Sequence, residues 1–75
     1  MTVKEIADQA DMIVAGYAYK IKKGYIEVID LSDIKRVATI QNNIIAESLM
    51  SDEEDSIILD YYLRNKDLLE ESVYA

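Results

Sequence analysis

Four adjacent acids, Asp52, Glu53, Glu54 and Asp55, are the densest set of potential metal ligands or acid–base groups in the chain. Hard cations want several oxygens, but a calcium loop alternates its ligands, carries a mid-loop glycine and ends on a bidentate glutamate. Four consecutive acids on a helical turn point in different directions, so this run does not read as a metal site. It reads as a helix start, because Ser51 and Glu54 have the spacing of a capping box and a helix N-terminus favours negative charge. Glu47 with Asp60, or Asp30 with Asp33, could serve as acid and base. Such a pair needs a cleft that moves one pKa, and a chain of 75 residues has little volume for one. With His and Cys both absent, there is no imidazole for chemistry near neutral pH and no soft-ligand metal site. The sequence predicts a protein that is not an enzyme and holds no cofactor or metal.

Charge is the stronger signal. Val37 to Ala75 hold nine of the fifteen Asp and Glu but only Arg64 and Lys66 as bases, so this part carries the whole net charge of −7 (2 − 9). Such a field repels nucleic acid and anionic lipid and attracts basic partners. Lys20, Lys22, Lys23, Lys35 and Arg36, interleaved with Tyr17, Tyr19 and Tyr25, resemble a strand face that could stack bases and hold phosphates. Glu27, Asp30 and Asp33 reduce that stretch to +2 (5 − 3). Solvated lysines that keep an edge strand from aggregating are the simpler reading, so direct nucleic-acid binding is not expected.

The elements that must position these residues follow from periodicity. Val3, Ile6, Ala7, Ala10, Ile13, Val14 and Tyr17 recur at steps of three and four, which predicts an amphipathic helix capped by Thr2 and Glu5 and stopped by Gly16. Alternation then begins at Tyr17, breaks at Lys23-Gly24 and resumes over Tyr25 to Leu31, which predicts a β-hairpin. Residues 35–49 fit either a helical stripe from Ser32 or Asp33, or two strands, Lys35 to Gln41 and Ile44 to Leu49. Their β-branched content and the Asn42-Asn43 pair favour the strands. From Asp52 a second helix begins, and from Ile57 to Leu63 every position but Asp60 is large apolar or Tyr. That is more than one core-facing stripe needs. A further apolar turn, Leu68, Leu69 and Val73, either extends this helix or forms another. The expected fold is a single α+β domain over 1–75, with an N-terminal helix, a small antiparallel meander of three to four strands and a C-terminal helix.

A domain this small, with no disulfide, gains from added buried area, so an oligomer or partner is a reasonable expectation. All six aromatics are Tyr, a side chain suited to surfaces that are wet when free and buried when bound. Tyr61 and Tyr62 point about 100° apart on a helix. Either one faces the core and the other a partner, or both rim a single core. The acidic N-terminus lacks the basic-then-apolar pattern of a signal peptide and no run is long enough to span a membrane, so a cytoplasmic location without membrane contact is expected.

The opening Met1-Thr2-Val3-Lys4-Glu5-Ile6, the run Gly24-Tyr25-Ile26-Glu27-Val28-Ile29-Asp30-Leu31, and Asp52 to Asp55 followed by Ile57 to Leu63 cover much of the chain. In composition and layout it resembles the small acidic accessory proteins of phages and mobile elements of Gram-positive bacteria. The resemblance implies counter-defence inhibitors, anti-CRISPR-like proteins among them, many of which are acidic binders that occupy basic nucleic-acid channels. The leading expectation is a protein-binding module that docks on a basic, nucleic-acid-binding partner protein. Asp52, Glu53, Glu54, Asp55 and Asp60 would steer association, and Tyr61, Tyr62 and Leu63 would anchor it. Two alternatives are a homo-oligomeric structural protein, such as a homodimer packed through Ile57 to Leu63, and an antitoxin or immunity protein that neutralises a basic nuclease.

Overall fold

The computed structural model describes residues 2–74, with side chains from Thr2 to Asp67. Thr2 caps the first helix, α1 (Val3–Gln9). Its Oγ1 accepts from the Glu5 amide at 3.2 Å while the Glu5 carboxylate accepts from the Thr2 amide at 3.4 Å. The helix is shorter than its periodicity predicts. Ala10 and Asp11 leave it, and Met12–Val14 form strand β1, paired antiparallel with β2 (Tyr17–Lys22). Asp11 makes the switch: its amide donates to the Tyr19 carbonyl at 2.9 Å and its carboxylate accepts from the Ile21 amide at 2.8 Å. Gly16 therefore does not end a helix. With Ala15 it forms the β1–β2 turn, both residues at positive φ (53° and 84°), the conformation whose twist matches a two-residue hairpin.

The other hairpins fall where turn chemistry places them. β2 and β3 (Tyr25–Asp30) join at Lys23-Gly24, with Gly24 at φ 90°. β4 (Val37–Gln41) and β5 (Ile44–Ser48) join at Asn42-Asn43, at φ 56° and 65°. Residues 35–49 are thus two strands rather than a helix. The sheet has five antiparallel strands in sequence order, one more than the meander predicted at its largest. α2 (Asp52–Tyr74) runs unbroken through Asp67. The apolar turn at Leu68, Leu69 and Val73 lies outside the described side chains.

The pairing register decides which face of each strand is inward. Met12, Tyr19, Val28 and Ala38 align in one row across β1 to β4, and Ile21, Ile26, Ile40 and Ile45 align in another across β2 to β5. α2 lies on this face, and Ile58 joins Tyr19, Val28, Ala38 and Ile40 in a fully enclosed cluster. On α2 the buried and half-buried positions are Glu54, Asp55, Ile58, Leu59, Tyr61, Tyr62, Asn65 and Lys66, the 3.6-residue stripe of a helix lying on a sheet. α1 sits on the opposite face, where buried Ile6 shares a small cleft with Ala18 and Ile29. At 23 residues α2 is about 34 Å long. Strands of six residues reach about 20 Å, so the helix outlasts the sheet that supports it.

Candidate interaction surface

The four-acid run divides where the helix meets the sheet. Ser51 caps α2, its Oγ accepting from the Glu54 amide at 3.2 Å. This sets the helical phase, and the phase turns Glu54 and Asp55 inward and leaves Asp52 and Glu53 exposed. Glu54 forms an ion pair with Arg36, reached from the β3–β4 connection, and accepts from the Tyr17 hydroxyl at 3.3 Å. Asp55 accepts from the Ser48 hydroxyl, whose oxygen in turn accepts from the Met50 amide at 2.9 Å. Glu54 and Asp55 thus fasten α2 to the sheet. Of the run, Asp52 and Glu53 face solvent.

Asp60 is exposed one turn beyond Ile57 and pairs with Arg64 at 3.1 Å, an i,i+4 contact between two exposed side chains and so of small energetic weight. Tyr61 and Tyr62 both pack against the core cluster, so neither stands clear of it. Leu63 is 43% exposed. Ile57, which the sequence singled out only as part of a greasy run, is 45% exposed on the same outward side of α2. Asp67 is exposed there as well. The outward face therefore combines Ile57 and Leu63 with Asp52, Glu53, Asp60 and Asp67 against Arg64, a net of −3 (1 − 4). Among the expected site residues, the structure gathers Asp52, Glu53, Asp60 and Leu63 on this face. Glu54, Asp55, Tyr61 and Tyr62 line its inner side. The missed residues, Ile57 and Asp67, carry a legible signal: with Asp60 and Leu63 they recur at steps of three and four along the exposed side, Ile57 and Leu63 about 120° apart at its two edges with Asp60 between them.

The remaining constellations separate in space. Tyr17 and Tyr19 lie on the α2 side of β2, whereas Lys20 and Lys22 alternate to the other side, where Tyr25 pairs with Lys22, so the structure brings only part of the basic–aromatic cluster onto one surface. Lys20 Nζ donates to the Gln9 carbonyl at 2.7 Å and ties α1 to the sheet. Glu47 aligns with Thr39 on the face opposite α2, which puts the sheet between it and Asp60. Asp30 and Asp33 accept from the Ser32 and Lys35 amides at 2.8 and 3.2 Å and shape the β3–β4 connection. Among the described residues no group of three or more acids converges as a metal site. No helix among them is long and apolar enough to cross a membrane.

The Tyr19 phenol is strongly perturbed. Tyr19 is fully buried and its hydroxyl donates to the Ile58 carbonyl at 2.8 Å, with burial first, then neighbouring Tyr17 and Tyr61, raising its pKa well above 10. The phenol is a structural donor in the core, remote from the outward face.

A family model described as a family of unknown function (DUF7723) matches residues 1–69. No curated protein and no solved structure matches the chain.

Proposed function

We propose that this chain, which belongs to that family of unknown function, is a non-enzymatic binding module that offers the outward face of α2 to a positively charged partner protein. The observation that carries this reading is the placement of Ile57 and Leu63, 45% and 43% exposed, among Asp52, Glu53, Asp60 and Asp67. An acidic helix face flanked by two exposed apolar side chains fits a basic surface with apolar positions at its borders, where charge sets the encounter rate and the buried side chains set the lifetime. A partner built to hold nucleic acid has such a surface. Self-association through the same face is disfavoured, because a two-fold contact would set acids against acids.

Affinity capture with the intact chain, followed by association kinetics on the retained protein, tests the proposal. A basic protein is expected, whose on-rate falls with added salt and with D52N/E53Q/D60N, and whose off-rate rises with I57S/L63S. An on-rate indifferent to both salt and the triple substitution would remove the steering role. Sedimentation equilibrium separates the homo-oligomer alternative, since a concentration-dependent dimer abolished by I57S/L63S would replace the proposal.

A further inference from the structure

The buried residues fall into two sets on opposite sides of the sheet. Tyr19, Val28, Ala38, Ile40 and Ile58 form the core under α2, and no residue of α1 belongs to that cluster or packs against it. Ile6 and Ala18 are buried apart from it, across the sheet. The attachment of α1 to that side is slight. Ile6 is its only buried residue, and Val3, its other large apolar side chain, is 45% exposed. Among the described residues a single hydrogen bond joins the helix to the sheet, from Lys20 Nζ to the Gln9 carbonyl. A cleft of about 70 Å³, lined by Ile6, Ala10, Ala18 and Ile29, leaves part of the seam unfilled. The chain just beyond α1 is held firmly, because the Asp11 amide bonds the Tyr19 carbonyl and the Asp11 carboxylate bonds the Ile21 amide. Ala10 lies between the weak attachment and the strong one, extended and outside both elements.

We infer that α1 is a displaceable cover that pivots at Ala10 and opens while the sheet and α2 stay folded. Opening gives up the burial of Ile6 and the Lys20 bond but no contact of the core cluster, so it lies well below global unfolding in free energy. Once undocked, a helix of seven residues is too short to persist alone, and the gain in chain entropy favours the open form further. Lys20 is the catch: its ammonium holds a carbonyl of the last turn of α1, where the helix dipole favours a cation. Closed, α1 hides Ala18. Open, it joins Ala18 to Ile13, Ile29 and Val37, its neighbours across β1 to β4, in one uninterrupted apolar row. The device lies across the sheet from the outward face of α2 and does not depend on the role proposed for that face.

The chain has no cysteine, so single introduced thiols report opening in the full-length protein. A18C sets its sulfur beside the cleft under α1, and V28C, close to valine in size, sets one inside the core. With a thiol reagent that reacts more slowly than the protein recloses, A18C is expected to label at least about 100-fold faster than V28C and with a weaker dependence on urea. I58V separates the two motions. Its core contacts are the same whether α1 is open or closed, so it should speed V28C labelling by about fivefold and leave A18C unchanged. K20M should speed A18C labelling by about fivefold. Should A18C fail to fold, I6C reads the same opening from the helix side of the seam and is expected to show the same indifference to I58V. Equal labelling of the helix-side and core thiols, or an I58V response shared by both, would mean that α1 leaves only when the whole molecule unfolds, and overturns the inference.

Discussion

Replacing Tyr19 with Phe isolates one hydroxyl in the centre of the core. The ring is fully buried against Val28, Ala38, Ile40 and Ile58, and its hydroxyl donates to the Ile58 carbonyl at 2.8 Å. That carbonyl can still accept from the helical amide four residues on, so Y19F removes a hydrogen bond without orphaning its acceptor, at a cost of about 1 kcal/mol. In a domain of this size that lowers Tm by roughly 4–8 °C. The same substitution acts in the opposite direction at high pH. Burial raises the Tyr19 pKa above its ordinary value of 10.0, so the folded state favours the neutral phenol. Its contribution is complete below about pH 10 and is lost as pH rises further. By pH 11 the unfolded chain gains RT ln 11, about 1.4 kcal/mol, from ionising this group, which cancels the hydroxyl's advantage. Urea denaturation of the two proteins from pH 7 to pH 11 should show a gap of about 1 kcal/mol that closes near the upper end. A gap that stays constant across that range would show that the phenol ionises as easily folded as unfolded, and the enclosed core drawn here would be wrong.

Three further substitutions probe the joints of the fold. Ala15 is left-handed at φ 53° in an exposed turn, so A15G should relieve strain and raise stability by about 0.5 kcal/mol after the entropy cost of glycine; an unchanged or lower Tm would contradict that conformation. The Arg36–Glu54 pair is half-buried and Nε of Arg36 is buried without a partner. A double-mutant cycle with R36M and E54Q should therefore give a coupling of only about 1 kcal/mol, and one above about 3 kcal/mol would mark a far drier pair. Ser48 bridges Asp55 and the Met50 amide, and S48A should cost about 1–2 kcal/mol in urea denaturation, whereas a neutral result would mean that the β5–α2 joint is held by other contacts.

The hairpins were legible because their turns need special backbone chemistry. Lys23-Gly24 and Asn42-Asn43 mark positive φ in the sequence, and the structure has hairpins at both. The third turn, Ala15-Gly16, was hidden because Ala rarely adopts that conformation, and without it Met12, Ile13 and Val14 continue the apolar period of α1. Three residues of alternation are too few to distinguish from a helical stripe, and pairing with Tyr17 to Tyr19 decided the matter. The inward face of β3 was equally hidden, since both of its faces carry apolar residues and only the helix covering one of them separates Val28 from Ile29.

The acidic run shows why a charge count is a poor map of a site. All four acids favour the first turn of α2 through the helix dipole, so their number says nothing about which of them faces outward. Helical phase decides that, and the Ser51 cap sets the phase: two positions per turn face the sheet, where Arg36, Tyr17 and Ser48 already supply donors. Neutralising Glu54 or Asp55 would therefore loosen the seat of α2 before it altered any encounter with a basic protein, and a combined change of all four acids would mix the two effects. D52N/E53Q leaves the seat intact. It loses only the dipole stabilisation of two exposed first-turn acids, about 0.3–1 kcal/mol each, and so should lower Tm less than a change at the seat does, while still slowing association at low salt. E54Q/D55N should do the reverse, lowering Tm at little cost to the on-rate. If the two pairs behaved alike in both assays, the division of the run into fastening and steering acids would be wrong, and with it the choice of the outward α2 face.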